Sequence, residues 1–574
     1  MSGADVNLNA LWARLIVEEL YRGGVRTAVL CPGSRNSPLL FAFARMEGMR
    51  VLSHTDERSA GFIALGVAKG GGEPAAVCVT SGSALANLLP AVVEAHATHL
   101  PLVVVAADRP WEMHANGSAQ AMPQRGIFAD FIAGELDLGE PTATPAALRA
   151  LRAQVSRLAQ RRGGPVVINV PLRDPLPPLP DPAWQAPELP ADVRVGRAGG
   201  APFTEMENVG GGVAVPARWT WLRPGLAGVI VVGPADQQHP AAVMALARAT
   251  GFPLVADAVG GLRAVGDVPG AVNLVACADA LLGGELGGVR AELVIQVGAA
   301  PLARAVYEWL GRQECPWVAI EAGRNQDMLG RAWGVLDPAD DATYGALAAR
   351  LAPGDAAWAS RWRAAEEAAR ARWAAADEPW GEVSAAQMCC RDGRFRFRHL
   401  ASSMAVRHGN VHIQPGPAAA EVFANRGVSG IDGTIGTFIG LAWSGLAMPG
   451  MLLCGDLAFL HDLPALATAR MEGLRGAIVV LNNDGGGIFD YLPVAQVDGY
   501  RPWVRTPHGA DLAAAAAQAG LSYRAVESRA ALAAALDAAA TGPGMVVIEC
   551  RVAGGDAVGR HRALLQSMAG PEGA

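Results

Sequence analysis

Lysine is almost absent from this chain: among 47 basic residues it occurs once, at Lys69. Chemistry that needs an amine nucleophile, such as a Schiff base to a substrate carbonyl or to pyridoxal, would have to use that one side chain. The same scarcity leaves no Gly-Lys-Ser/Thr, and so no phosphate-binding loop of the P-loop type. Cysteine is sparse and unpatterned. Eight occur, Cys389 and Cys390 adjacent, with no Cys-x-x-Cys, which excludes the common zinc spacings and reads as buried thiols in a reducing compartment. No uninterrupted apolar run approaches the ~20 residues that span a bilayer. Met1 to Glu18 carries acids and reads as the start of an amphipathic helix rather than a signal peptide. These absences predict a cytoplasmic protein with no membrane partner. A basic excess is missing too. The formal net charge of −7 argues against nucleic acid as a partner, so an anionic substrate must be met by a local cluster of arginines.

What is present is a long globular chain of 574 residues, 51% hydrophobic and 18% charged, enough for roughly three or four domains. Apolar runs alternate with helical stretches in the rhythm of doubly wound parallel sheets. Residues 1–180 predict strands at Thr27–Cys31, Ala75–Thr80, Pro101–Ala106 and Val166–Val170, with helices near 8–22, 57–69, 83–97 and 146–161. A proline-rich stretch, Pro171 to Pro190, reads as an extended linker. A second α/β block covers about 200–370, with strands in 228–233 and 293–298 and a Gly-rich loop at 199–213. A helix near 355–376 leads to a third block, 385–574. There helices at 434–446 and 529–540 are expected among strands at 451–455, 477–482 and 544–550. The fold class is α/β, three doubly wound parallel-sheet domains.

Gly455-Asp456-Leu457 follows the apolar run Met451–Cys454, and Asn482-Asn483-Asp484 follows Ala477–Leu481. Such runs read as buried parallel strands, and two neighbouring strand ends would present a carboxylate and a carboxamide at the carboxyl edge of a sheet, where α/β sheets bind ligands. Both groups offer hard oxygens, which suit Mg²⁺ (or Mn²⁺) better than zinc, and a Mg²⁺ held by few side chains shares its shell with phosphates. The triple glycine Gly485-Gly486-Gly487 allows backbone N–H groups to approach phosphate oxygens.

This pattern resembles the diphosphate-binding motif of thiamine diphosphate (ThDP) enzymes, Gly-Asp-Gly followed by Asn-Asn. Leu457 departs from the general motif. More specific segments resemble the family of 2-succinyl-5-enolpyruvyl-6-hydroxy-3-cyclohexene-1-carboxylate (SEPHCHC) synthases of menaquinone biosynthesis, from near residue 10 to near 550. They are Pro32–Leu39, Asp56-Glu57-Arg58 with Gly61–Lys69, Thr80–Asn87, Ala107–Pro110, Asn169–Leu176, Ala424–Gly433, Gly455–Leu463 and Leu481–Phe489. Leu457 agrees with this family.

The resemblance implies a catalytic role for Glu57, whose carboxyl would hydrogen-bond the cofactor's aminopyrimidine and favour its imino form. It implies cofactor contacts from Pro32, Val428, Ile431, Gly455, Asp456, Leu457, Asn483, Gly485, Gly486 and Ile488, with Asp456, Asn483 and the Gly485 carbonyl on the metal. It further implies that 2-oxoglutarate and isochorismate, each a dicarboxylate, are joined with loss of CO₂. Guanidinium forks suit carboxylates, and substrate contacts are expected from Ser34, Arg35, Arg109 and Gln120, from Ser403, Arg407 and Arg426, and from Arg304 in the middle block. Ile488, Phe489 and Leu492 would line the apolar side. The family also implies a homodimer as the minimum catalytic unit, with a homotetramer open.

Rival readings are another ThDP-dependent 2-oxoacid decarboxylase or carboligase of the acetolactate synthase type, a non-catalytic binding protein on the same fold, and a dinucleotide-binding oxidoreductase built on the middle block. The last lacks a Gly-x-Gly-x-x-Gly followed by a ribose-binding acid. The chain departs from the family at Ala119, where the family has Asn, and residues 199–213, 385–400 and 408–417 match no expected pattern.

Overall fold

A computed structural model of the chain describes residues 6–206, 214–234, 239–264, 272–321, 325–327, 329–337, 341–416, 420–552 and 556–570. It contains three six-stranded sheets, parallel throughout their paired registers. The first comprises β1 Thr27–Leu30, β2 Arg50–Ser53, β3 Ala75–Val79, β4 Leu102–Asp108, β5 Gly134–Asp137 and β6 Val166–Pro171, in the order β2-β1-β3-β4-β6-β5. The second comprises β7 Gly228–Val232, β8 Leu254–Ala256, β9 Leu274–Val275, β10 Leu293–Val297, β11 Trp317–Ile320 and β12 Gly334–Leu336, in the order β12-β11-β10-β7-β8-β9. The third comprises β13 Phe397–Leu400, β14 Glu421–Phe423, β15 Gly450–Gly455, β16 Gly476–Asn482, β17 Ser522–Val526 and β18 Met545–Arg551, in the order β14-β13-β15-β16-β18-β17. The first and third sheets therefore share one strand order.

By contacts the chain divides into two compact units. One is Met1–Asn208 with Gly427–Ala447 and Phe459–Leu474; the other is Val209–Arg426 with Met448–Ala458 and Arg475–Ala574.

In the first unit the sheet's central strands are wholly buried, as expected when helices cover both faces. The helix Leu8–Arg22 is capped by Asn7, whose side chain accepts from the Ala10 N–H, and turns Leu11, Leu15 and Ile16 into the core. The predicted helix 83–97 is broken into Ser83–Ala86 and Leu89–Ala97, because Pro90 lacks the N–H that a continuous helix would need. Between β6 and the short helix Ala191–Val195 the proline-rich stretch has no regular structure. The helix Glu57–Gly71 lies directly on the helix Thr434–Trp443. A Cβ on Gly66 would sit 2.2 Å from the Thr437 carbonyl oxygen, and one on Gly440 would sit 2.1 Å from that of Ile63. The two backbones touch where neither residue has a side chain.

In the second unit, the helix Ala356–Ala375 buries Trp362, Ala365 and Ala369 against the second sheet's core. The helix Glu382–Arg391 runs into the unmatched stretch 385–400, strand β13 falls in it, and the helix Met404–His412 runs into the stretch 408–417. The helix ends at His412, so Pro415 lies beyond it in irregular chain. Residues 207–213 of the Gly-rich loop, and Pro417, fall outside the described residues.

Candidate active site

The second unit holds the strand-end pair. β15 and β16 are neighbours, with Gly455 opposite Leu481, so Asp456 and Asn483 leave adjacent parallel strands at the same edge. Asp456 is buried. Its Oδ1 accepts from the Leu457 N–H (2.7 Å) and its Oδ2 from the Gly485 N–H (2.9 Å). His508 Nε2 lies 3.3 Å from the same Oδ2. Burial pushes the Asp456 carboxyl above its ordinary range, and the two N–H groups and His508 pull it only part of the way back. This carboxylate is short of compensating positive charge.

Asn483 is held at both ends of its carboxamide. Nδ2 donates to Glu382 Oε2 (2.8 Å), and Oδ1 accepts from Arg505 Nη2 (3.2 Å). Arg505 also donates to the carbonyls of Asn483 and Asp484. Glu382 is itself buried and accepts from His408 Nε2 at 3.1 Å. Burial alone would raise its pKa, but the hydrogen bonds from His408 and Asn483 outweigh that and hold it below the ordinary carboxylate range. Gly485 has φ of +124°, and a Cβ there would meet the Arg505 carbonyl oxygen at 2.2 Å, so the turn needs glycine on both counts. Its own carbonyl accepts from the Gly487 N–H.

The donor chemistry fits a hard divalent cation. Asp456 supplies a desolvated carboxylate, Asn483 a carboxamide oxygen and Gly485 a carbonyl. In this structure the Arg505 guanidinium faces Asn483 Oδ1 and the His508 ring faces Asp456 Oδ2. Among the described residues no group of three or more His, Cys, Asp or Glu is placed to hold a metal. A cation here would therefore rest on one carboxylate and neutral oxygens and take further ligands from a phosphate.

The second unit also carries further expected residues. Ser403, at φ +72°, precedes the helix Met404–His412, and Arg407 Nη1 returns to the Ser403 carbonyl (2.7 Å). Burial lowers the Arg407 pKa, opposed by Asp279. Arg426 Nη1 reaches Ser402 Oγ at 3.3 Å. Ile488 and Phe489 are half-buried in the turn Gly487–Tyr491, and Leu492 is exposed. Arg304 stands at the start of the helix Arg304–Gly311, 85% exposed and paired with Glu308 at 2.7 Å.

The first unit carries the other expected residues. Glu57 is the first residue of its helix, behind the Asp56 cap that accepts from the Ser59 N–H. Asp462 clamps this helix to the next: Oδ1 accepts from Ser59 Oγ and Oδ2 from the Gly436 N–H, both at 2.7 Å. The buried carboxylate of Glu94 accepts from the N–H groups of Gly427 and Val428, each at 2.9 Å, and fixes the turn that leads to Ile431. Val428 itself is 53% exposed.

Pro32 and Ser34 are exposed at the end of β1, beside buried Arg35. Arg35 donates to the Leu172 carbonyl (2.8 Å), while Arg109 Nη2 donates to Gln120 Oε1 (3.2 Å). Burial and the adjacent Arg109 charge hold the Arg35 guanidinium below its ordinary pKa. The Nε of each arginine is buried with no hydrogen-bond partner among the described residues. The two guanidiniums are adjacent, and Arg35 Nη1 also meets Asp174 Oδ2 at 3.4 Å. Sequence reasoning assigned no role to Glu382, Glu94, Asp462, Arg505 or His508. Asp462 stands within the matched segment Gly455–Leu463, and the other four stand in no local pattern that marks them.

Residues 12–128 match the family "Thiamine pyrophosphate enzyme, N-terminal TPP binding domain", and residues 413–550 match "Thiamine pyrophosphate enzyme, C-terminal TPP binding domain". The SEPHCHC synthase of Myxococcus xanthus is 39% identical over 99% of this chain and 98% of its own length. The synthases of Halobacterium salinarum (36%, 97% of both chains) and Roseiflexus castenholzii (36%, 98% of this chain and 99% of its own) are similar along the same span. At that identity over nearly full length, with both cofactor-binding modules in order, the chain belongs to the SEPHCHC synthase family and is a ThDP-dependent transferase.

Proposed function

We propose that this protein decarboxylates 2-oxoglutarate and adds the resulting four-carbon unit to isochorismate in a 1,4 fashion, giving SEPHCHC and CO₂ in the cytoplasm. The observation that carries the reading is the Arg35–Arg109 pair, whose buried, unspent N–H donors suit a carboxylate-rich substrate. Ser34 adjoins Arg35 and Gln120 accepts from Arg109, and Ser403, Arg407 and Arg426 are assigned to carboxylate contacts as well. Ile488, Phe489 and Leu492 would cover the apolar part of the substrate. We assign Arg304 the weakest part, since its guanidinium is spent on Glu308.

Bound ThDP would supply the electron sink for decarboxylation. The protein's own groups do the rest. Glu57 would hold a proton at the aminopyrimidine nitrogen. Asp456, Asn483 and the Gly485 carbonyl would hold Mg²⁺ or Mn²⁺ against the diphosphate, and Gly455, Leu457, Gly486 and Ile488 would pack along it. Pro32, Val428 and Ile431 would contact the rings. We take a homodimer as the smallest active assembly, with a homotetramer compatible.

The test is donor choice. With ThDP and Mg²⁺, kcat/KM for 2-oxoglutarate should exceed that for pyruvate by at least about 100-fold, the discrimination expected when buried donors are left unpaired by the wrong substrate. Comparable values would favour the acetolactate synthase type of enzyme instead.

A further inference from the structure

A carboxamide can turn either its oxygen or its nitrogen toward a cation, and only the oxygen binds one. The choice at Asn483 is made by a neighbour outside every recognised motif. Glu382 opens the helix Glu382–Arg391 and is buried. Its Oε2 lies 2.8 Å from Asn483 Nδ2 and its Oε1 lies 3.1 Å from His408 Nε2. An ionised carboxylate only accepts hydrogen bonds, so it must face the amide nitrogen. Flipping the carboxamide would set Oδ1 against Glu382 and turn the N–H₂ toward the cation position. With the nitrogen committed, Oδ1 points to the opposite side, where the Arg505 guanidinium meets it at 3.2 Å. His408, itself buried, occupies the second carboxylate oxygen and fixes the plane of Glu382.

We infer that Glu382, anchored by His408, is a positioning residue that locks the Asn483 carboxamide with its oxygen toward the divalent cation. The inference rests on the metal-site reading above and adds to it a residue that touches neither cation nor cofactor. Outer partners of this kind typically contribute 10–100-fold to metal affinity.

The experiment measures Mn²⁺ binding by electron paramagnetic resonance, with ThDP present and no substrate. Glu382→Ala, folded by circular dichroism, should weaken Mn²⁺ binding by about 10–100-fold. Glu382→Gln keeps an oxygen for Asn483 and should bind at least about tenfold more tightly than Glu382→Ala. Wild-type affinity in Glu382→Ala would overturn the inference, as would equal losses in both variants. If Glu382→Ala does not fold, Asn483→Asp decides. It sets two carboxylates face to face, and adding Glu382→Gln restores a donor–acceptor pair in the reverse sense. Tighter Mn²⁺ binding in the double variant than in Asn483→Asp alone supports the lock, and no gain overturns it. Failure of the wild type to bind Mn²⁺ with ThDP would instead remove the metal-site reading itself.

Discussion

The Gly485 N–H donates to Asp456 Oδ2 over 2.9 Å, and through it the turns leaving two adjacent parallel strands close on one another. The carboxylate is thereby fixed, buried and still short of positive charge.

Asp456→Ala removes that carboxylate, and binding of ThDP with Mg²⁺ should weaken by at least about 100-fold, since a charge-assisted contact to a cation in a desolvated site is among the strongest available. Titration calorimetry measures it. A change below about threefold would place the cation elsewhere.

In the role proposed for it, Glu57 acts on the cofactor and not on its attachment. Glu57→Gln should bind ThDP and Mg²⁺ within a few-fold of wild type and lose about 100-fold or more in kcat, the scale of a positioned proton-transfer group. Near-normal turnover in that variant would remove the role assigned to it.

In the proposed function the Arg35–Arg109 pair sets substrate affinity. Arg109→Met keeps the stem and deletes the charge. KM for 2-oxoglutarate or isochorismate should rise about 10–100-fold, the loss of one or two hydrogen bonds to a charged group, while Mg²⁺–ThDP binding is unchanged. An unchanged KM for both substrates would contradict the assignment.

The histidines behind Glu382 should make the fold acid-sensitive. His561 packs edge-on against both His408 and Tyr491. Burial lowers its pKa to about 3, with the charges of His408 and Arg407 adding and Glu382 opposing. His412 is also lowered, by burial and by His408 and His561. A histidine depressed in the folded state takes up its proton first in the unfolded chain. Stability therefore falls as pH drops below the unfolded value of about 6.5 and goes on falling toward the folded value. From pH 6.5 to 5 His561 alone accounts for roughly 2 kcal/mol. His561→Phe should flatten the dependence of the thermal midpoint on pH over this range, and an unaltered slope would count against it.

The sequence made the buried parallel strands legible because each reads as an unbroken apolar run. β15 and β16 were placed to within a residue, and with them Asp456 and Asn483. Strand β5 escaped because it is half-exposed at a sheet edge, and β14 and β17 are likewise edge strands with mixed burial. β13 is fully buried yet contains Arg398 and His399. Its polar letters hide it, since the Arg398 guanidinium is satisfied by the carbonyls of Cys389 and Asp392. Glu382 and Glu94 could not be read at all, because their partners Asn483 and Gly427 are distant in the chain. The central sheet shows the complementary lesson. Read from β9 to β12, its order is that of dinucleotide-binding folds, but strand order sets a scaffold and not a chemistry.

The most direct test of the account is CO₂ release by the purified protein with ThDP, Mg²⁺ and 2-oxoglutarate, measured with and without isochorismate. The account predicts that isochorismate accelerates CO₂ release and is consumed in equal amount, with one adduct formed per CO₂. CO₂ release that is absent, or that proceeds without any consumption of isochorismate, would contradict it.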